Sequence, residues 1–143
     1  MRYLGNKESI LTEISDLLES QGLLKDGFTF FDAFCGSGSV ADYFKSYYDI
    51  IINDNLTWSV KYAKGRVCAP TCTFDKLGFD PFEYLNANEN TVQGFMYRNY
   101  APTESARMYF TPENAGRIDY FRKQIEEWKN ENLLSEEEYC YLI

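Results

Sequence analysis

The sequence contains no histidine and only four cysteines among its 143 residues, Cys35, Cys68, Cys72 and Cys140. A zinc site would have to recruit these cysteines from distant segments, because histidine supplies no ligand. The cysteines also lack the dense, regular spacing of a small secreted disulfide scaffold, which favours a reducing compartment. We therefore predict no metal site and a cytoplasmic location.

Long apolar runs are missing as well. No stretch approaches the ~18 apolar residues of a membrane span, and residues 1–7 contain no apolar core of a signal peptide. Basic residues are outnumbered, with 14 Lys and Arg against 22 Asp and Glu and a net charge of -8. Such a chain does not attract phosphate strongly by itself. We predict no membrane contact, and any contact with nucleic acid requires a local basic patch or parts outside this sequence.

Apolar residues make up 45% of the chain and aromatic residues 17%, which is ample for the packed core of one globular domain. Residues 28–34 and 48–53 predict two short strands buried on both faces, separated by a short helix over 40–45. This order is a βαβ unit with parallel strands, whose carboxyl ends form a ligand-binding edge. An amphipathic helix before it is predicted by apolar residues at helical spacing, namely Ile10, Leu11, Ile14, Leu17 and Leu18.

Helices are expected in the rest of the chain. A helix is expected over 56–64, whereas residues 65–90 show weak periodicity and Asp80-Pro81-Phe82 within them is typical of a turn. Thr111 and Pro112 predict the start of a helix with an apolar face formed by Ile118, Phe121, Ile125 and Trp128. Ser135 opens a capping box for a last helix that begins at Glu136. The sequence thus predicts an α/β fold.

A glycine turn follows the first predicted strand. Gly36 and Gly38 lie between that strand and a helix, where the backbone can approach a ligand and helix N–H groups face an acidic group. Asp54 ends the second strand, where a carboxylate accepts the hydroxyls of a ribose. The pattern indicates a nucleoside cofactor. The alternatives are a plain turn with Asp54 as a helix cap, or a dinucleotide site, because Ala41 completes that pattern too.

The sequence Tyr-Leu-Gly-Asn-Lys at residues 3–7 distinguishes these possibilities. Together with the glycine turn over 31–38 and Asn53-Asp54-Asn55, it resembles the Dam-like, class D12 adenine-specific DNA methyltransferases. The resemblance continues over residues 107–119, so it covers nearly the whole chain. Arg107, Arg117 and Arg122 then form either a DNA contact or an ordinary solvated face.

The resemblance implies a partial, Rossmann-like core over residues 1–85 that binds S-adenosylmethionine. A helical segment over 86–143 would then be part of a target-recognition region. Main-chain N–H groups near Gly36 would bind the methionyl carboxylate, and Asp54 the ribose. The implied cofactor contacts are Tyr3, Lys7, Asp32, Phe34, Gly36, Gly38 and Asp54.

The resemblance also shows what this sequence lacks. The tetrapeptide Asp-Pro-Pro-Tyr, which in this family receives the flipped adenine, does not occur. We therefore expect the N-terminal portion of a DNA adenine-N6 methyltransferase of a restriction-modification system, with no catalytic residue in this chain. Double-stranded DNA is the expected partner of the complete enzyme, and self-association is expected of the short chain. The alternatives are an NAD-binding oxidoreductase fragment and a non-enzymatic oligomerising module.

Overall fold

The computed structural model describes residues 7–143. These residues form two compact units. The first extends to Cys72 and includes Cys140–Leu142, and the second comprises Thr73–Tyr139 with Ile143. The division between residues 72 and 73 differs from the boundary expected after residue 85. The functional labels attached to 1–85 and 86–143 stay predictions.

The first unit contains the βαβ arrangement. A 3-10 turn, Glu8–Ile10, leads into helix α1 (Leu11–Ser20), and the alternating order then follows. Its elements are β1 (Thr29–Asp32), α2 (Ser39–Phe44), β2 (Asp49–Ile52) and α3 (Thr57–Cys68). The two strands pair in parallel, with Thr29 opposite Asp49 and Asp32 opposite Ile52. The predicted parallel βαβ unit is confirmed, and α3 runs longer than the predicted helix.

The prediction that both strands are buried on both faces is wrong. Phe30 of β1 stacks on Phe44 of α2 at 5.2 Å between ring centroids, and Phe44 is fully buried. On the opposite face, Phe31 is 59% exposed and Ile51 is 53% exposed. Because α2 packs on one face of the pair, only alternate strand residues are covered within the described part of the chain.

Two short helices follow α3, α4 (Pro81–Ala87) and α5 (Phe95–Tyr100). Helix α4 lies in the weakly periodic segment 65–90, and α5 lies within the segment 86–143 that was expected to be helical. The turn expected at Asp80-Pro81-Phe82 is instead the start of α4, because Asp80 Oδ1 accepts hydrogen bonds from the Phe82 and Glu83 N–H groups at 2.7 and 3.1 Å. Proline suits the first helical position, since its missing N–H would have no helical partner there. A proline-containing sequence that is typical of a turn therefore forms the start of a helix here.

The last two helices, α6 (Pro112–Asn130) and α7 (Glu136–Leu142), begin where their capping residues predict. Thr111 Oγ1 accepts from the Asn114 N–H at 3.2 Å. At α7, Ser135 and Glu138 form the reciprocal capping box. On the predicted face of α6, Ile125 and Trp128 are buried, while Ile118 and Phe121 are half-buried. None of the helices within residues 7–143 combines the length and apolarity needed to cross a bilayer.

Candidate functional site

The glycine turn lies at the carboxyl end of the parallel strands. Gly36 and Gly38 have φ values of +52° and +72°, in the left-handed region that glycine adopts most readily. The Cys35 N–H donates to the Asn53 carbonyl at 2.9 Å and ties the turn to the end of β2. The Gly38 N–H donates to the Cys35 carbonyl at 2.7 Å and closes the turn before α2.

Asp54 is in direct contact with this turn. Its Oδ2 accepts a hydrogen bond from the Gly36 N–H at 2.9 Å, and its Oδ1 accepts one from the Leu56 N–H at 3.0 Å. The hydrogen bonds from Leu56 and Gly36 hold the pKa of Asp54 below its usual value, so the side chain is a carboxylate at neutral pH. Each oxygen keeps a further lone pair for a ligand donor.

Two backbone donors of the turn have acceptors within the protein. The Gly36 N–H is used by Asp54, and the Gly38 N–H by the Cys35 carbonyl. These two N–H groups are therefore already paired within the protein, and the expectation that N–H groups near Gly36 bind the methionyl carboxylate stays a prediction. The Gly36 N–H of the turn therefore orients the Asp54 carboxylate.

Asp32 and Cys35 lie on the inner side of the turn. The Asp32 Oδ2 atom is buried and has no hydrogen-bond partner among the residues that the structure describes. Burial raises the pKa of Asp32, although the backbone N–H groups of Phe34 and Ala41 counteract it. Burial, with smaller contributions from Asp32 and Asp54, raises the pKa of the Cys35 thiol to about 11. Burial thus disfavours the ionised forms of the Asp32 and Cys35 side chains.

Phe34 and Lys7, two further residues of the predicted site, are both exposed. The Phe34 side chain is 87% exposed beside the turn and offers an apolar face to a ligand. Lys7 is exposed, and its carbonyl accepts from the Ile10 N–H at 3.0 Å. The next residue, Glu8, approaches Ser39 at the start of α2, with 3.4 Å between Oε1 and Oγ. Tyr3 lies outside the described residues.

Three residues of α3 contact the turn and were not predicted from the sequence. Ser59 Oγ donates to the Gly36 carbonyl, and Arg66 Nη1 donates to the Ser37 carbonyl at 3.1 Å. Ala63 lies between them, directly behind Gly38. The signal in the sequence is their spacing, because residues 59, 63 and 66 share one helical face. The spacing alone does not show that this helical face contacts the glycine turn, which is seen only in the folded structure.

Arg66 also belongs to an ion-pair network on α2. Its Nη2 lies 2.9 Å from Asp42 Oδ2, and Lys45 Nζ lies 2.7 Å from Asp42 Oδ1. Lys45 donates in addition to the Arg66 carbonyl at 2.9 Å. These side chains are partly buried, so the network is more constrained than an isolated surface ion pair.

The three arginines considered for DNA contact belong to the second unit. Arg107 lies over the Tyr100 ring at 5.3 Å from its centroid, and Arg117 over the Phe121 ring at 5.4 Å. Arg122 is exposed. Stacked arginines of this kind stay available for phosphate, but the same contacts occur on ordinary surfaces. Within residues 7–143, no three His, Cys, Asp or Glu side chains are grouped as metal ligands.

A family model and individual relatives both match this chain, and both are DNA methyltransferases or modification methylases. The model of the D12 class N6 adenine-specific DNA methyltransferase matches residues 3–142. Modification methylase LlaI of Lactococcus lactis subsp. lactis is 39% identical over 150 residues, and type II methyltransferase M.FokI of Planomicrobium okeanokoites is 36% identical over 151 residues. Type II methyltransferase M.NlaIII of Neisseria lactamica is 32% identical over 151 residues.

These alignments cover the whole chain but only part of each relative. The chain corresponds to 24% of the LlaI methylase, 23% of M.FokI and 43% of M.NlaIII. It therefore spans less than half the length of these relatives. No solved structure matches the chain.

Proposed function

Because the chain belongs to the D12 class N6 adenine-specific DNA methyltransferase family, we propose that it is the cofactor-binding portion of a DNA adenine-N6 methyltransferase. The complete enzyme would transfer a methyl group from S-adenosylmethionine to adenine in double-stranded DNA, within a restriction-modification system. Modification methylases among the relatives support this assignment. The observation that carries it is the hydrogen bond from the Gly36 N–H to Asp54, which joins the glycine turn to the acidic residue after β2.

The first unit is the proposed cofactor-binding part, with a partial Rossmann-like core. Its parallel βαβ arrangement supports this, since ligands of such sheets bind beyond the carboxyl ends of the strands. Asp54 is ionised, half-exposed and already oriented by two backbone donors, so it suits the two hydroxyl groups of a ribose. Phe34 would cover an apolar face of the cofactor, as would Tyr3, and Lys7 would pair with its carboxylate.

When bound, S-adenosylmethionine supplies a methyl group on a positively charged sulfur. The residues of this chain bind and orient, and none of them receives the target amine, because the sequence has no Asp-Pro-Pro-Tyr. Asp32 accepts from the backbone N–H groups of Phe34 and Ala41, so we assign it to shaping the turn from within; its Oδ2 atom is buried and has no hydrogen-bond partner among residues 7–143. Orientation of this kind supplies rate by holding reacting groups in line.

The second unit is the proposed target-recognition part. Of the arginines that would meet DNA phosphate, Arg117 and Arg122 lie on α6, and Arg107 lies in the segment before that helix. The expected self-association also stays a prediction. Of the final stretch that was expected to mediate it, Tyr139 and Cys140 are buried, whereas the sheet face with Phe31 and Ile51 is open within the described residues.

Calorimetric titration of this chain with S-adenosylhomocysteine, the demethylated cofactor, tests the proposal. Asp54→Ala should weaken binding by more than about tenfold, the usual effect of losing hydrogen bonds to a charged group. Asp49→Ala is the matched control, because it removes an exposed carboxylate at the opposite end of β2. Its affinity should equal that of the unmodified chain.

Three outcomes would contradict the proposal. The unmodified chain could fail to bind S-adenosylhomocysteine, or Asp54→Ala could bind as tightly as Asp49→Ala. Tighter binding of NAD than of S-adenosylhomocysteine would favour the dinucleotide alternative instead. Circular dichroism of each variant separates a lost contact from a lost fold, because Asp54 also accepts from two backbone N–H groups.

A further inference from the structure

Helix α3 holds two consecutive carbonyl groups of the glycine turn. Ser59 donates to the carbonyl of Gly36, and Arg66 donates to the carbonyl of Ser37. The two side chains are about two helical turns apart, so they project from the same face of α3. The Ser59 side chain is fully buried, which makes its hydrogen bond costly to break.

The third residue of the turn is in van der Waals contact with the same helix face. A Cβ placed on Gly38 would lie 2.7 Å from Ala63 Cβ and 2.8 Å from Ala63 Cα, and Ala63 is itself fully buried. Each of residues 36, 37 and 38 is therefore located by a different residue of α3. The helix acts as a template whose side chains match the turn at three points.

The template determines where the Gly36 amide points. The Gly36 carbonyl is held on α3 by Ser59, and the Gly36 N–H is held by Asp54. With both polar groups of one residue held, the turn and the Asp54 carboxylate have a defined relative position. A binding group that is oriented before the ligand arrives avoids the entropy cost of being ordered on binding.

Arg66 is suited to this task by its planar, forked side chain. Nη1 reaches the Ser37 carbonyl while Nη2 reaches Asp42 on α2, so one guanidinium links α3, the turn and α2. Lysine offers a single point charge and cannot hold both acceptors in the same fixed geometry. Lys45, which shares Asp42 as a partner, donates to Asp42 Oδ1 and to the Arg66 carbonyl, so these two hydrogen bonds belong to the network behind the turn and not to residues 36–38.

We propose that Ser59 and Arg66 are positioning residues for the cofactor, and that α3 presets the conformation of residues 36–38 and through it the direction of Asp54. This inference rests on the proposed function of the first unit. It predicts that affinity for the cofactor depends on two residues that never touch it. It also predicts that the loss of affinity depends on losing a contact with the turn, and not on the change in net charge or in the stability of the fold.

The test compares Arg66→Met with Lys45→Met, since both remove one positive charge from the same network. Titration with S-adenosylhomocysteine should give about tenfold weaker binding for Arg66→Met and a change within about twofold for Lys45→Met. Arg66→Lys should restore only part of the affinity. Ser59→Ala, which leaves the charge unchanged, should weaken binding in the same way as Arg66→Met.

A readout without ligand accompanies the titration. Amide hydrogen exchange at Gly38, whose N–H closes the turn, should accelerate in Arg66→Met and Ser59→Ala but not in Lys45→Met. If all three variants bind as the unmodified chain does, the inference is overturned while the proposed function stands. If Lys45→Met loses as much affinity as Arg66→Met, a general stability effect replaces positioning. If the unmodified chain does not bind, the proposed function fails and this inference fails with it.

Discussion

Replacing Gly38 with alanine should destabilise the first unit more than the same change at any open glycine. The residue combines a φ of +72° with direct contact to α3, so an added methyl group has two separate effects. Left-handed backbone costs an L-residue about 1–2 kcal/mol. Overlap with a packed neighbour adds about 1–3 kcal/mol. The free energy of unfolding should therefore fall by about 2–5 kcal/mol.

The overlap cannot be relieved by a small side-chain movement. The added methyl group would meet the backbone Cα of Ala63 at 2.8 Å as well as its Cβ, and Ala63 is fully buried within α3. Either α3 must move away from the turn, or the turn must change its conformation. Both adjustments would disturb the contacts that Ser59 and Arg66 make with neighbouring carbonyl groups.

Gly22→Ala is the matched control. Gly22 lies in the same unit and has a similar φ of +66°, but nothing lies within 4 Å of an added Cβ. The two substitutions share the cost of left-handed backbone and the entropy change of the unfolded chain. The difference between them therefore isolates the overlap with Ala63.

Urea unfolding followed by circular dichroism measures both variants against the unmodified chain. Gly38→Ala should lose at least about 1 kcal/mol more than Gly22→Ala, the lower limit for overpacking. Equal losses at the two positions would refute the close contact between the turn and α3. A larger loss at Gly22 would contradict the reasoning outright.

Two further predictions concern buried groups. Asp119→Ala should lower the free energy of unfolding by about 2–3 kcal/mol in urea melts, because Asp119 accepts the Met96 and Tyr97 N–H groups at 2.9 and 2.8 Å. Asp119→Asn keeps one acceptor and should lose less, and equal losses would count against this explanation. The raised pKa of Cys35, about 11 in the folded chain, makes its bound proton stabilising below pH 9 and lost as pH rises through 11. Iodoacetamide at pH 8 should accordingly label Cys35 more slowly than the half-exposed Cys68, and equal rates would contradict the burial of this thiol.

Helix starts were predictable where the capping interaction is local. Thr111 caps the residue three positions ahead, and Ser135 pairs with Glu138 in the same way, so a short stretch of sequence contains both partners. The two strands and the helix between them were likewise predictable from the residues within each element. The local sequence did not identify α5, because its first N–H groups are satisfied by Asp119 of α6, a residue far along the chain.

Burial of the strands could not be predicted from their composition. Aromatic and branched residues on both faces of 28–34 and 48–53 favour a strand covered on two sides, yet Phe31 and Ile51 are half exposed in the described part of the chain. The composition of a strand shows which side chains are apolar enough to be buried. Whether they are buried depends on which elements pack against each face.

For the candidate site, the amino-acid sequence determined the kinds of groups that are present: a glycine turn after one strand and a carboxylate after the next. It did not determine that Asp54 accepts the Gly36 N–H, or that Ser59 and Arg66 hold the same turn from behind. Those contacts join residues 18 to 29 positions apart along the chain. They exist because parallel pairing aligns the ends of β1 and β2 while α3 packs against the turn, and no local pattern specifies a distance between segments that meet only on folding.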